Sequence, residues 1–191
     1  MQTLIDDFPI SFNLLTKATV DSGFTMASEL LTCSLLRTLA ASKPSGNFLE
    51  LGTGTGLSTA WILDGMDALS VMTTIDNDAE FLSIARTYLG LDSRLTLILQ
   101  DCGEWLTQNS TKKFDFIFAD TWHGKYLMLD TALSLLNPGG LYIIDDMLPQ
   151  DNWPEGHSEK ADLLISNLST RDDLFITKQI WASGIIIGVK K

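Results

Sequence analysis

Phe48-Leu-Glu-Leu-Gly-Thr-Gly-Thr-Gly-Leu-Ser-Thr-Ala60 is the stretch from which the rest of the chain can be read. Phe48 to Leu51 is short and apolar, with one carboxylate, Glu50, inside it. Gly52, Gly54 and Gly56 follow, and Ser58-Thr-Ala-Trp-Ile-Leu63 then opens a helical pattern. Strand, tight glycine turn and helix together begin a βαβ nucleotide-binding unit. Glycine in such a turn lets the backbone approach a ligand that a Cβ would hold off. A strand-to-helix turn without a ligand would tolerate the same glycines, so the surrounding residues have to decide.

The alternation continues in both directions. Upstream, a lead-in of about 24 residues carries a turn or two of helix around Phe12, Leu14 and Leu15, read as a cap. Met26, Leu30, Cys33, Leu36 and Leu39 then fall near helical spacing and predict a helix over Thr25–Ala41. Ser42-Lys-Pro-Ser-Gly46 ends it. Downstream, strands are expected at Asn47–Leu51, Val71–Asp76, Leu95–Leu99, Phe114–Ala119 and Leu141–Asp145. The helices between and after them are expected to run to about Leu63, then over Ala79–Leu89, Glu104–Gln108, Lys125–Leu136 and Ser158–Leu168. Pro138-Gly139-Gly140 reads as the turn into the fifth strand. Leu174–Ile180 and Gly184–Val189 are joined by Trp181-Ala-Ser183, too short for a crossover helix, so they form an antiparallel hairpin. The fold class is therefore α/β: a Rossmann-like, doubly wound, seven-stranded mixed sheet, in one domain over residues 1–191.

Composition narrows the partners. An apolar content of 45% over 191 residues suits a globular chain with a substantial core. The formal charge of −11 argues against nucleic acid, whose phosphates need a basic face, and against an anionic membrane surface. No apolar run is long enough for a membrane span, and Met1 to Pro9 contains no basic leader, so no secretory signal is expected. Cys33 and Cys102 are too few for a disulfide framework, and both are expected to be reduced in a cytoplasmic setting. A small molecule is the partner that passes these filters; a homodimer is left open.

Two classes of protein use a glycine turn of this kind. The dinucleotide pattern G-x-G-x-x-G, begun at Gly52, requires glycine where this chain has Leu57. Five βα units closed by a hairpin also differ from the six-stranded dinucleotide layout. Glu50-Leu51-Gly52-Thr53-Gly54-Thr55-Gly56 instead resembles the acidic-x-G-x-G-x-G turn of class I S-adenosylmethionine (SAM)-dependent methyltransferases. The resemblance implies SAM as cofactor, with Glu50, Gly52, Thr53, Gly54, Gly56 and Ser58 at its binding turn.

In open α/β sheets the ligand lies beyond the carboxyl ends of the strands. Those ends carry Glu50, Asp76, Asp101, Asp120 and Asp145-Asp146, a recurrence that says more than any single motif. Asp76, with Asn77 beside it, can accept both hydroxyls of a ribose; it would serve equally as a helix cap. By the same resemblance, Asp101 or the backbone at Cys102 holds the adenine amino group, and Asp101 too could be a cap.

Phe114-Asp-Phe-Ile-Phe-Ala-Asp-Thr-Trp-His-Gly-Lys-Tyr126 resembles the corresponding segment of the catechol-type and caffeoyl-CoA-type O-methyltransferases. That resemblance runs from roughly Met26 to the C-terminus. It implies that Asp120 binds a divalent cation and touches the cofactor, and that Asp145 and Asp146 supply the remaining protein ligands. Three carboxylates in one place favour a cation: two of them about 4 Å apart repel by roughly 4 kcal/mol at an effective dielectric near 20. Mg²⁺ suits such oxygen ligands, and a metal-held hydroxyl is a better nucleophile. Two residues depart from the pattern. The families have Asn where this chain has Asp146, and the catechol lysine base falls at His123, with Lys125 two residues on. Both are candidate catalytic groups. Trp122, together with Trp153 and His157 from the Asp151–His157 loop, is expected to hold a small hydroxylated acceptor, aromatic ones included.

Overall fold

The computed structural model describes residues 5–150 and 153–191, so Asp151 and Asn152 of the expected acceptor loop lie outside the described residues. Five parallel strands, β1 (Asn47–Leu51), β2 (Val71–Asp76), β3 (Leu95–Leu99), β4 (Phe114–Ala119) and β5 (Leu136–Ile144), build the sheet with a final hairpin, β6 (Leu174–Gln179) and β7 (Ile185–Lys190). Their spatial order is β3-β2-β1-β4-β5-β7-β6, with β7 antiparallel to both neighbours. The chain runs outward through β2 and β3, then returns to place β4 on the other side of β1. That reversal opens a crevice at the carboxyl ends of β1 and β4.

Helices cover both faces. α1 (Phe12–Asp21), α2 (Leu30–Ala41), α3 (Leu57–Gly65), α4 (Ala79–Leu89), α5 (Cys102–Gln108), α6 (Leu129–Ser134) and α7 (His157–Ser169) occur in that chain order. Successive strand residues point to opposite faces, so the apolar runs split into two cores. Leu49, Leu51, Ile117, Tyr142 and Ile144 pack in one core with α5, α6 and α7. Phe48, Phe116, Phe118 and Ile143 pack in the other, with residues of α2, α3 and α4. Trp61 of α3 is fully buried, under Phe8 and Phe12 and the Arg37 guanidinium. α1 is pinned to the glycine turn by a 2.8 Å hydrogen bond between the Thr19 and Thr55 hydroxyls.

The structure differs from the sequence-based expectation in three stretches. The helix expected from Thr25 begins at Leu30. Residues 24–29 instead cross the crevice, where Phe24 packs on Phe81 at 4.7 Å between ring centroids and the Ser28 hydroxyl donates to Asp120 at 3.1 Å. Contacts from the rest of the fold there outweigh helical spacing. The helix expected from Lys125 is reduced to α6, because Gly124 and Met128 both take positive φ and the Gly124 N–H closes a turn onto the Leu127 carbonyl. β5 starts five residues early: Leu136 pairs with Phe114 and Leu141 with Phe116, so Asn137–Gly140 bulge between these pairs. No helix among the described residues is long and apolar enough to cross a membrane.

Candidate active site

At the crevice lies a cavity of about 700 Å³. Gly52, Thr53, Gly54 and Ser58 form its floor, Asp76 and Asn77 one wall, and Asp120, Trp122, Lys125, Asp146, Trp153 and His157 the far end. Gly52 has φ +101°, and a Cβ there would sit 2.9 Å from the Asp120 carbonyl oxygen. Glycine is what allows the ends of β1 and β4 to come together. Asp76 is held from both sides: Oδ2 accepts from the Gly54 N–H at 2.7 Å and Oδ1 from the Asp78 N–H at 2.9 Å. A charged oxygen pair is thereby fixed against the glycine floor, with lone pairs left for diol hydroxyls.

Glu50 does not reach the cavity. It is fully buried and accepts from the hydroxyls of Ser58 (2.7 Å), Thr59 (2.5 Å) and Thr74 (2.6 Å). Thr74 also meets Thr53 at 2.6 Å, so the Thr53 side chain is turned down into the same network. Burial pushes the Glu50 carboxyl up to about 7, against the pull of those three hydroxyls. The group ties strand, turn and helix together from beneath. Gly56 likewise faces inward, toward Ala85.

Asp101 caps α5, accepting from the Gly103 and Glu104 N–H groups at 2.8 and 3.0 Å. Cys102 is buried, and burial, with Asp76 and Asp101 nearby, pushes its thiol up to about 12. His123 lies against Gly103, with Nδ1 3.9 Å from Asp101, and is not among the residues lining the cavity. Lys125 is among them. It is only 5% exposed, and its Nζ stands 3.2 Å from Asp120 Oδ1. Burial alone would lower the Lys125 ammonium, but Asp120, Asp146 and Asp145 more than reverse this, so it holds its proton more firmly than an ordinary lysine.

The aromatic end is compact. His157 lies over Trp153 at 4.3 Å between centroids, its Nε2 is 3.0 Å from the Tyr126 hydroxyl, and Trp122 stands edge-on to both Tyr126 and His157. Burial, aided by Lys125, lowers the His157 pKa below its ordinary value, which keeps the imidazole neutral at pH 7. Phe24, Ser28, Phe81, Tyr126 and Ser183 also line the cavity without having been predicted to. Tyr126 and Phe81 had a readable signal, one in the segment after β4 and the other a turn beyond Asp76. Phe24, Ser28 and Ser183 had none.

The expected cation can be tested against the donors. Asp145 is 1% exposed and does not line the cavity; its Oδ1 accepts from the Ser183 hydroxyl and the Asp146 N–H, with Thr32 at 3.5 Å. Asp120 is engaged by Lys125 and Ser28. No group of three or more His, Cys, Asp or Glu among the described residues is arranged to hold a metal ion. A divalent ion 4 Å from an ammonium would also be repelled by about 8 kcal/mol at an effective dielectric near 20. This donor set does not fit the ion.

The family profile described as a methyltransferase domain matches residues 49–147, from β1 to just beyond β5. The chain belongs to that family. A Mycobacterium avium (strain 104) protein named as a candidate O-methyltransferase is 34% identical to this methyltransferase-domain chain over 118 residues, covering 58% of this chain and 51% of that protein. The chain spans about half the length of the curated relatives it matches. Among solved structures, the O-methyltransferase from Bacillus cereus in complex with S-adenosylhomocysteine superposes with a TM-score of 0.84 at 20% identity, covering 98% of this chain and 94% of that one. TomG, an O-methyltransferase from Streptomyces achromogenes in complex with SAM, gives 0.82 at 18% identity, covering 99% and 92%. The likeness establishes the Rossmann-like methyltransferase fold.

Proposed function

We propose that this protein transfers the methyl group of SAM to a hydroxyl oxygen of a small, planar molecule. One observation carries the reading. A single cavity joins a glycine floor and a doubly anchored aspartate to a wall of Trp122, Tyr126, Trp153 and His157. The first part suits a nucleoside, whose ribose hydroxyls Asp76 can accept. The second suits a flat acceptor held by its faces and edges. Between them the acceptor oxygen, methyl carbon and sulfur can lie in line, and this positioning is the larger part of the catalysis. The oxygen lone pair forms the O–C bond as the C–S bond breaks, and the bonding pair goes to sulfur, leaving S-adenosylhomocysteine. The hydroxyl proton passes to the Tyr126 oxygen while Tyr126 hands its own proton to His157 Nε2.

Calorimetry with SAM and NADH side by side, followed by transfer assays on a panel of phenols and catechols, tests this function. SAM is expected to bind and NADH not to, with S-adenosylhomocysteine formed only when a hydroxylated acceptor is present. Tight NADH binding without SAM binding would return the chain to the oxidoreductase class. Binding of SAM with no transfer to any acceptor would favour a non-catalytic module. The rate should rise with pH along an acid limb whose midpoint lies below the ordinary histidine value of 6.5. His157→Phe is expected to remove that limb, and a limb that persists would assign the proton elsewhere.

A further inference from the structure

Building on the function proposed above, we infer that the Lys125 ammonium binds and polarises the acceptor oxygen, in the role that the resemblance to catechol-type enzymes gives to a divalent cation. The placement is specific. Tyr142, fully buried on β5, donates to the Gly124 carbonyl at 2.6 Å, and the Tyr126 N–H returns to the Trp122 carbonyl at 2.9 Å. These bonds hold the turn after β4 so that the Lys125 side chain runs inward rather than into solvent. Its Nζ meets Asp120, and Asp145 and Asp146 are close enough to stabilise the positive charge. A buried ammonium without such partners would be strongly destabilising; with them it is a fixed charge at the end of the cavity.

An ammonium has three N–H donors and no acceptor. Among the described residues, Asp120 is the one partner within hydrogen-bond distance of Nζ. Donors therefore remain for an oxygen arriving from the cavity that Lys125 lines. The hydrogen bond to that oxygen strengthens as the proton leaves it and negative charge builds, so the interaction favours the transition state over the bound substrate. The same ammonium keeps a divalent ion out by charge, and Asp145 has already committed its Oδ1 to the Ser183 hydroxyl and the Asp146 N–H. Lys125 acts in this site as a hydrogen-bond donor. It is the resident cation.

The test begins with the unmodified protein and needs no acceptor. Mn²⁺ titration followed by electron paramagnetic resonance is expected to show no site filled below millimolar metal. An occupied site at micromolar Mn²⁺ overturns the inference, whatever the protein turns out to methylate. In transfer assays, excess chelator is expected to leave turnover within twofold, and loss of turnover in chelator would also overturn it. Lys125→Met, checked for folding by circular dichroism, is expected to bind SAM within threefold of wild type and to lose at least tenfold in kcat. Lys125→Met with wild-type kcat would refute the role. Lys125→Ala leaves Asp120 and Asp146 without their counter-ion and is expected to gain a Mn²⁺ signal that wild type lacks; no gain would mean that Lys125 is not what excludes the ion. Failure of SAM to bind wild type would instead sink the proposed function, and the Mn²⁺ result on wild type is read independently of it.

Discussion

Gly52→Val is expected to abolish SAM binding and to lower the melting temperature. The backbone at this position has φ +101°, where an L side chain costs about 1–3 kcal/mol. The new Cβ would also fall 2.9 Å from the carbonyl oxygen of Asp120 and 3.1 Å from its carbonyl carbon. Those are backbone atoms and cannot swing aside like a flexible side chain. Relief requires the ends of β1 and β4 to part, where the Asp120 N–H is bonded to the Leu51 carbonyl at 2.9 Å, while the Gly52 N–H holds the same turn to the Ile75 carbonyl of β2 at 2.9 Å. The strand ends that part are the ones that flank the cavity. Thermal unfolding should show a loss of about 2–4 kcal/mol, within the range of a severe backbone substitution. Calorimetry should show no SAM binding in the protein that remains folded. A variant that binds SAM normally would mean that the cofactor does not lie on this turn.

Asp76→Ala is expected to raise the SAM dissociation constant about 100-fold or more with only a modest change in stability. Hydrogen bonds to a charged group contribute about 1.5–3 kcal/mol each, and two ribose hydroxyls are at stake. Even the lower figure for two bonds, about 3 kcal/mol, is a factor of roughly 100 in affinity. Asp76 also fixes the Gly54 N–H at 2.7 Å, so its removal loosens the floor as well as the wall. Asp76→Asn separates these contributions, since the amide oxygen can still accept one bond. It should fall between alanine and wild type, and an Asn variant as weak as Ala would assign the effect to charge. Titration calorimetry of the three proteins decides it. Unchanged affinity in Asp76→Ala would put the diol elsewhere.

Much of this arrangement was legible in the sequence because strand ends are punctuated. Asp76 and Asp120 each close an apolar run and open a turn, and the topology brings such positions to one edge. Glu50 read the same way, yet it lies one residue short of the strand end. On a period of two it shares a face with Phe48 and looks toward α3 rather than to the rim. Ser58 and Thr59, a helical turn away, offered the hydroxyls that hold it there. Asp145 turns away from the cavity for a related reason: its position was readable, but its partner, Ser183, comes from the loop between β6 and β7, 38 residues on. His123 and Lys125 could not be told apart by spacing. Gly124, with φ +88°, lies between them, and no count of residues reveals which of the two the turn sends inward. Ser28 sat inside a stretch whose helical spacing was real but was overridden by its contact with Asp120, and Phe24, just ahead of that stretch in the lead-in, packs on Phe81.

The strap formed by residues 24–29 has a consequence for the rhythm of turnover. Phe24 presses on the glycine floor at Gly54 and on Phe81, while Ser28 reaches across to Asp120. If the proposed nucleoside lies beneath it, release requires that stack and that bond to open, and entry requires the same. On the function proposed above, departure of the demethylated cofactor is expected to be slower than the bond exchange at sulfur, and substitutions in the strap are expected to change the tempo of the cycle.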